Sequence, residues 1–134
     1  MEINFLAIGA AGVASWVIGA LWYSPVLFGK KWQSLVGMSD EDVQGGNMAV
    51  IFGLSLVMML IMAFGLSPII QAHGDSITPM HGAFHGAMVG LLFAATSMGI
   101  NYLYQRKSIT LWFIDAGYQV LFLAVSGLIL ALFA

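Results

Sequence analysis

Four apolar stretches, each about as long as a helix needs to cross a bilayer, take up most of this 134-residue chain. A hydrocarbon core is about 30 Å thick, so a helix rising 1.5 Å per residue needs roughly 20 residues to span it. No water is available there to satisfy the backbone, and a helix closes its hydrogen bonds within one segment. The pattern predicts an all-α fold: a polytopic membrane protein forming a single transmembrane domain, a bundle of four transmembrane helices. The spans fall near residues 4–24, 47–67, 79–103 and 109–133. Only 7% of the residues are charged and 60% are hydrophobic, against about 25% charged in an ordinary soluble domain. A soluble fold would lack the polar surface to cover such a core.

Charge is placed as unevenly as it is scarce. Lys30, Lys31, Arg106 and Lys107 are all the Lys and Arg present, and they fall in the first and third connections. By the positive-inside rule those connections are cytoplasmic and both termini lie on the outer side. Trp22, Tyr23, Trp32, Tyr102, Tyr104 and Trp112 gather at that same boundary as a one-sided aromatic belt. The start, Met1-Glu2-Ile3-Asn4, carries no positive charge, and the first stretch outruns a signal-peptide core, so it is expected to stay as a span. Cysteine is absent, which excludes disulfides and thiolate metal sites. No basic run suggests nucleic acid.

Local signals mark the ends. Pro25 stops the first helix. Residues 26–37, with Phe28, Lys30, Lys31, Trp32 and Leu35, suit a short interfacial segment. Ser39 followed by Asp40, Glu41 and Asp42 reads as a capped helix start. The second helix is expected to begin there in water, enter the bilayer near Met48 and end at residues 65–68. Thr78-Pro79 starts the third, as cap and first position, and residues 105–108 form a tight turn into the fourth. Short links favour antiparallel neighbours.

Lipid is as apolar as leucine, so membrane helices associate by close backbone approach. Gly82, Gly86 and Gly90 recur every four residues on the third helix, and Ala11, Ser15 and Gly19 do so on the first. Both stripes are expected to pack against helices, in the same subunit or in a second copy. Four helices make a thin bundle, which favours a homo-oligomer in the lipid bilayer.

Asp115 is the sharpest polar feature. A carboxylate at mid-membrane costs roughly 2.5–3.5 kcal/mol on insertion scales, so it should face protein. Gln119, Phe122 and Ser126 share its helix face, and counting inward puts Ser15, Ser55 and Thr96 near its depth. Hydrogen-bonded glue between helices is the plain account of Asp115; an ion or proton relay is the functional one. His81 and His85, one turn apart, present both imidazoles on one face, and His73 and Asp75 in the preceding loop could complete a site. Interfacial hydrogen bonding is the simpler account of the pair, ahead of pH sensing or metal binding, so no metal is assigned. His85, Ser126, Gln119 and Asp115 would line a discontinuous polar track. Met58, Met59 and Met62 are read as flexible apolar filler and not as copper ligands.

The run Gly19-x-x-Trp22-Tyr23-Ser24-Pro25-x-x-Phe28-Gly29-x-x-Trp32, with Asp115-x-x-Tyr118 on the last helix, resembles the small bacterial membrane proteins grouped as domain-of-unknown-function family 1761. The resemblance covers essentially the whole chain. It implies four membrane helices in a bacterial inner membrane, and makes Trp22, Tyr23, Pro25, Phe28, Gly29, Trp32 and Asp115 part of a family pattern without assigning them roles. The residues themselves support two functional readings. One is a small oligomeric transporter or channel subunit for protons or small ions, using Asp115, Gln119 and Ser126 with His85, His81 and Thr96. The alternative is a non-catalytic membrane assembly or interaction protein packing through the glycine face of the third helix. With no nucleophile–base pair and no cofactor loop, neither an enzyme nor a cofactor is expected.

Overall fold

The computed structural model describes residues 3–134, with the Asp75 side chain outside the description. Among the described residues there is no strand, and four helical spans are long and apolar enough to cross a membrane. The chain is a multi-pass integral membrane protein.

Helix α1, Phe5–Trp22, starts where the Asn4 side chain accepts from the Ala7 amide at 3.0 Å. After a turn at Pro25 the interfacial segment forms as α2, Gly29–Val36, closed by Gly37 at φ 75°. The acidic run forms the short helix α3, Asp40–Gly45, under a reciprocal cap. The Asp42 amide donates to Ser39 Oγ and the Ser39 amide to Asp42 Oδ2, both at 3.0 Å. The expected continuous helix from Asp40 into the membrane does not form. Gly46 is extended, and Asn47 caps a new helix by accepting from the Val50 amide. Two adjacent glycines are weak helix formers, so a second start is cheap there.

That second start is α4, Met48–Gln71, which runs past its expected end at residues 65–68 and carries Pro68 inside its last turn. The proline forfeits one hydrogen bond. Continuing the helix buries Ser67 and Ile70, the latter to 1% exposure, against the core. The third span comprises α5, Pro79–Val89, a π-helical turn at Gly90–Ala95, and α6, Thr96–Tyr104. Arg106 closes it at φ 57°, with the Lys107 amide donating back to the Tyr102 carbonyl. The last helix, α7, is Ile109–Leu132 under a Ser108 cap.

α7 is the hub, in contact with α1, α4 and α5. Its seam with α5 is made of backbone. A Cβ on Gly86 would collide with the Leu123 carbonyl, one on Gly82 with the Gly127 carbonyl, and one on Gly90 would lie 2.8 Å from Val120 Cα. The glycine face of the third span is thus used within the chain. Ala11 and Ser15 of α1 are wholly buried, and Gly19 leaves room for the Tyr118 hydroxyl. Tyr23 and Tyr102 both reach Asp115 near the start of α7. The two basic connections therefore lie at one end of the bundle, here called the basic end.

Candidate functional site

Asp115 is 7% exposed on the buried face of α7. Tyr23, just past α1, donates its hydroxyl to Oδ1 at 2.6 Å, and Tyr102 of α6 donates to Oδ2 at 2.5 Å. Both lie at the short end of the O–H···O range. One carboxyl group thus gathers the first, third and fourth spans.

Local sequence holds each tyrosine in place. On the α1 side, Trp22 donates its indole N–H to the Ile114 carbonyl at 2.9 Å, beside Asp115, and its ring meets Phe28 at 4.6 Å. The turn through Pro25 is tied by Phe28 N–H to Trp22 O and by Gly29 N–H to Ser24 O. A side chain at Gly29 would strike the Tyr23 carbonyl, so only glycine lets α2 fold back this tightly. The Tyr23 ring then stands edge-on to Trp32 at 5.6 Å and to Tyr118 at 5.4 Å. Trp22, Tyr23, Phe28 and Trp32 build one aromatic clamp beside the carboxyl group.

On the other side the π-helical turn precedes α6, which carries Tyr102. Such turns insert a residue and disturb the regular ladder. Here nearby carbonyls are taken by side chains: Trp112 donates its indole N–H to Ala95 O at 2.8 Å, and Thr96 Oγ1 donates to Leu92 O at 2.7 Å. Lys107 Nζ sits 4.7 Å above the Tyr102 ring, a cation–π contact at the wet rim. A groove of about 200 Å³ runs past Tyr102, Lys107 and Trp112.

The other polar residues expected along a track fall into separate groups. Ser126 and Ser15 are hydrogen-bonded to each other at 2.9 Å, Ser15 also donates to Ala11 O, and the Tyr118 hydroxyl donates to Ser15 O. Buried Phe122 interrupts the stripe between Gln119, which is half-buried, and Ser126. Thr96 is exposed and bonded within its own helix, and Ser55 is half-buried on α4. Among the described residues, no buried side-chain nitrogen or oxygen lacks a partner.

At the opposite end His85 Nε2 lies 2.9 Å from His81 Nε2, and His73 packs over both rings, at 4.1 Å from His85 and 5.0 Å from His81. The side chain of Asp75, a residue grouped with these histidines in the sequence reading, lies outside the description. Sequence reasoning missed Tyr23 and Tyr102 as the partners of Asp115, having assigned both to the aromatic belt. A usable signal was present: hydroxyl-bearing aromatics near the basic end of two spans, and an acid two turns into a third.

A family profile described as Protein of unknown function (DUF1761) matches residues 6–131. No curated protein and no solved structure matches the chain.

Proposed function

Since the chain belongs to the DUF1761 family of proteins of unknown function, its role has to be read from its own geometry, and we propose a non-catalytic assembly component of the bacterial inner membrane. In this reading the basic end faces the cytoplasm, both termini face out, and copies associate through helix contacts. The observation that carries it is the closure of the interior: Asp115 is engaged on both oxygens, and Ser126 is engaged with Ser15. A conduit needs polar groups with spare capacity along a connected path, and buried Phe122 stands between these two clusters. The glycine face of α5 is spent on α7, which leaves α4 as the span to offer. It is the least covered, and Gly53 and Gly65 on it have nothing within 4 Å. Small residues on an open helix face let a second backbone come close.

One observation favours the transport reading as runner-up. An ionisable residue inside a membrane is a functional candidate by default, and Asp115 meets two tyrosines, one of them under Lys107. Reconstitution in liposomes separates the two readings. Assembly predicts no proton- or ion-driven flux above empty vesicles from the wild type, and a native mass above that of one chain. Flux in the wild type that Asp115→Asn abolishes at unchanged mass would install the transport reading in its place. A strictly monomeric chain in lipid nanodiscs would remove the assembly reading.

A further inference from the structure

We infer that His73, His81 and His85 form a binding site for a divalent first-row transition metal ion, with zinc the natural occupant, at the end of the bundle opposite Asp115. Their ligating nitrogens all lie within 4.8 Å of one another. The local sequence builds this convergence. Thr78 caps α5 through the His81 amide and Pro79 starts the helix, so His81 and His85 stand one turn apart on one face. The chain leaves α4 through a 3-10 turn at Gly74–Ser76, with Gly74 at φ 68°. That reversal lays the His73 ring over the other two.

The hydrogen bonds decide which ring nitrogens are free to take a metal ion. His73 Nδ1 lies 2.9 Å from the Ile69 carbonyl. A carbonyl only accepts, so Nδ1 carries the ring proton and Nε2 keeps its lone pair. Metal-ligating histidines almost always spend their other N–H on such an acceptor, which fixes ring and tautomer. The Ser76 hydroxyl, donating to the His73 carbonyl, steadies the same loop. His81 and His85 point the same atom, Nε2, at each other across 2.9 Å. Two neutral rings fill that gap with one shared proton. A cation there takes both lone pairs, with each ring proton held on Nδ1.

The distances suit such an ion with small movements. Zinc–nitrogen bonds of about 2.0–2.1 Å in a tetrahedron put ligand nitrogens about 3.3 Å apart. The pair at 2.9 Å is close to that already, and the widest edge shortens by rotation of half-buried or exposed side chains. Imidazole suits zinc, copper, nickel and iron, whereas calcium and magnesium prefer oxygen ligands. Three histidines leave a fourth position for water. The ion would tie the end of α4 to the start of α5, the same least-covered span that the assembly reading uses, but it requires no assembly.

The test uses protein carrying no polyhistidine tag, stripped with a chelator and titrated with Zn²⁺ by calorimetry and with Co²⁺ by visible absorption. The expected result is saturable binding of one ion per chain and the intense visible bands of four-coordinate cobalt. His73→Ala and His85→Ala should each weaken binding by more than about tenfold, and the triple alanine variant should abolish it with the helical circular dichroism unchanged. Absence of saturable binding by the wild type overturns the inference, as does binding that survives in the triple variant.

Discussion

α4 and α7 are both 24-residue membrane helices, and the more apolar of the two is the less buried. α4 has a mean hydropathy of 2.5 with 11% of its apolar stretch covered, and α7 has 1.8 with 50% covered. In water the order would be reversed. In lipid an outward Leu, Ile or Phe already has its preferred surroundings, so Leu54, Met58, Ile61 and Phe64 of α4 stay exposed. What moves inward is what lipid serves badly: Asp115 and Ser126, and the small residues that allow backbones to touch. Between these two helices burial follows smallness and polarity more than hydrophobicity, although large apolar side chains such as Phe122, Leu123 and Ile70 are buried as well.

The largest test of that contrast exchanges the same residue on the two helices' faces. Gly86→Leu puts a branched side chain into the Leu123 backbone of α7, and overpacking of this kind should cost more than about 3 kcal/mol. A Cβ on Gly65 of α4 meets nothing within 4 Å, and Gly65→Leu should destabilise by no more than about 0.5 kcal/mol. Denaturant titration of the helical signal in detergent measures both. Equal losses would mean that α4 is as tightly held as α7. On the proposed assembly through α4, the Gly65 variant should instead lower the native mass.

Next in size is Asp115→Ala. Losing the carboxyl leaves the Tyr23 and Tyr102 hydroxyls without their acceptor. An orphaned group costs about 1–3 kcal/mol, so roughly 3 kcal/mol in total is expected. Tyr23→Phe should account for more of that than Tyr102→Phe, because Trp32 and Tyr118 box in Tyr23 whereas Tyr102 lines a groove where water can substitute. A larger loss from Tyr102→Phe would show that the π-helical turn, and not the aromatic clamp, sets the strength of this end.

How much of this was legible follows the same physics. The four spans, the inward turn of Asp115 and the Ser39 cap follow from rules that act over a few residues. The break at Gly46 was readable too, had Asn47 been weighed as a cap against the continuing periodicity. Pro68 misled because the helix runs on past it and packs Ser67 and Ile70 against the core, contacts that no window of sequence reveals. The π-helical turn at Gly90–Ala95 has no local signal at all. It lies where the glycine seam on α7 gives way to the indole of Trp112. The separation of the polar residues into three groups was hidden for a related reason: a shared helix face fixes direction, but partners come from other helices. Ser15 went to Ser126 and Asp115 to two tyrosines, and depth alone could not distinguish those pairings.

A smaller expected effect is that of the pair inside α7's seam with α1. Ser126→Ala removes the bond to Ser15, but Ser15 keeps the Ala11 carbonyl. Hydrogen bonds between membrane helices average about 0.6 kcal/mol in such tests, and a loss of that order is expected from the same titration. A loss above about 2 kcal/mol would place the serine pair beside Asp115 as an organiser of the core.

The smallest effect lies outside the membrane, on the approach to α4. The Ser39 backbone N–H, and after it the Ser39 hydroxyl, hold the Asp42 carboxyl below its ordinary value of 3.8. A group whose folded value is lowered adds stability that is present above the ordinary value and lost as pH falls through the folded one. Acidification below about pH 4 should therefore loosen α3 and leave α4 as it was, because Asn47 starts α4 with an uncharged amide cap. Hydrogen exchange resolved by segment reads this directly: faster exchange at the Asp42 amide and its neighbours, corrected for the intrinsic pH dependence, with unchanged protection beyond Met48. Loss of protection running on into α4 would show that the acidic cap and the span form one cooperative helix, and that the break at Gly46 does not separate them.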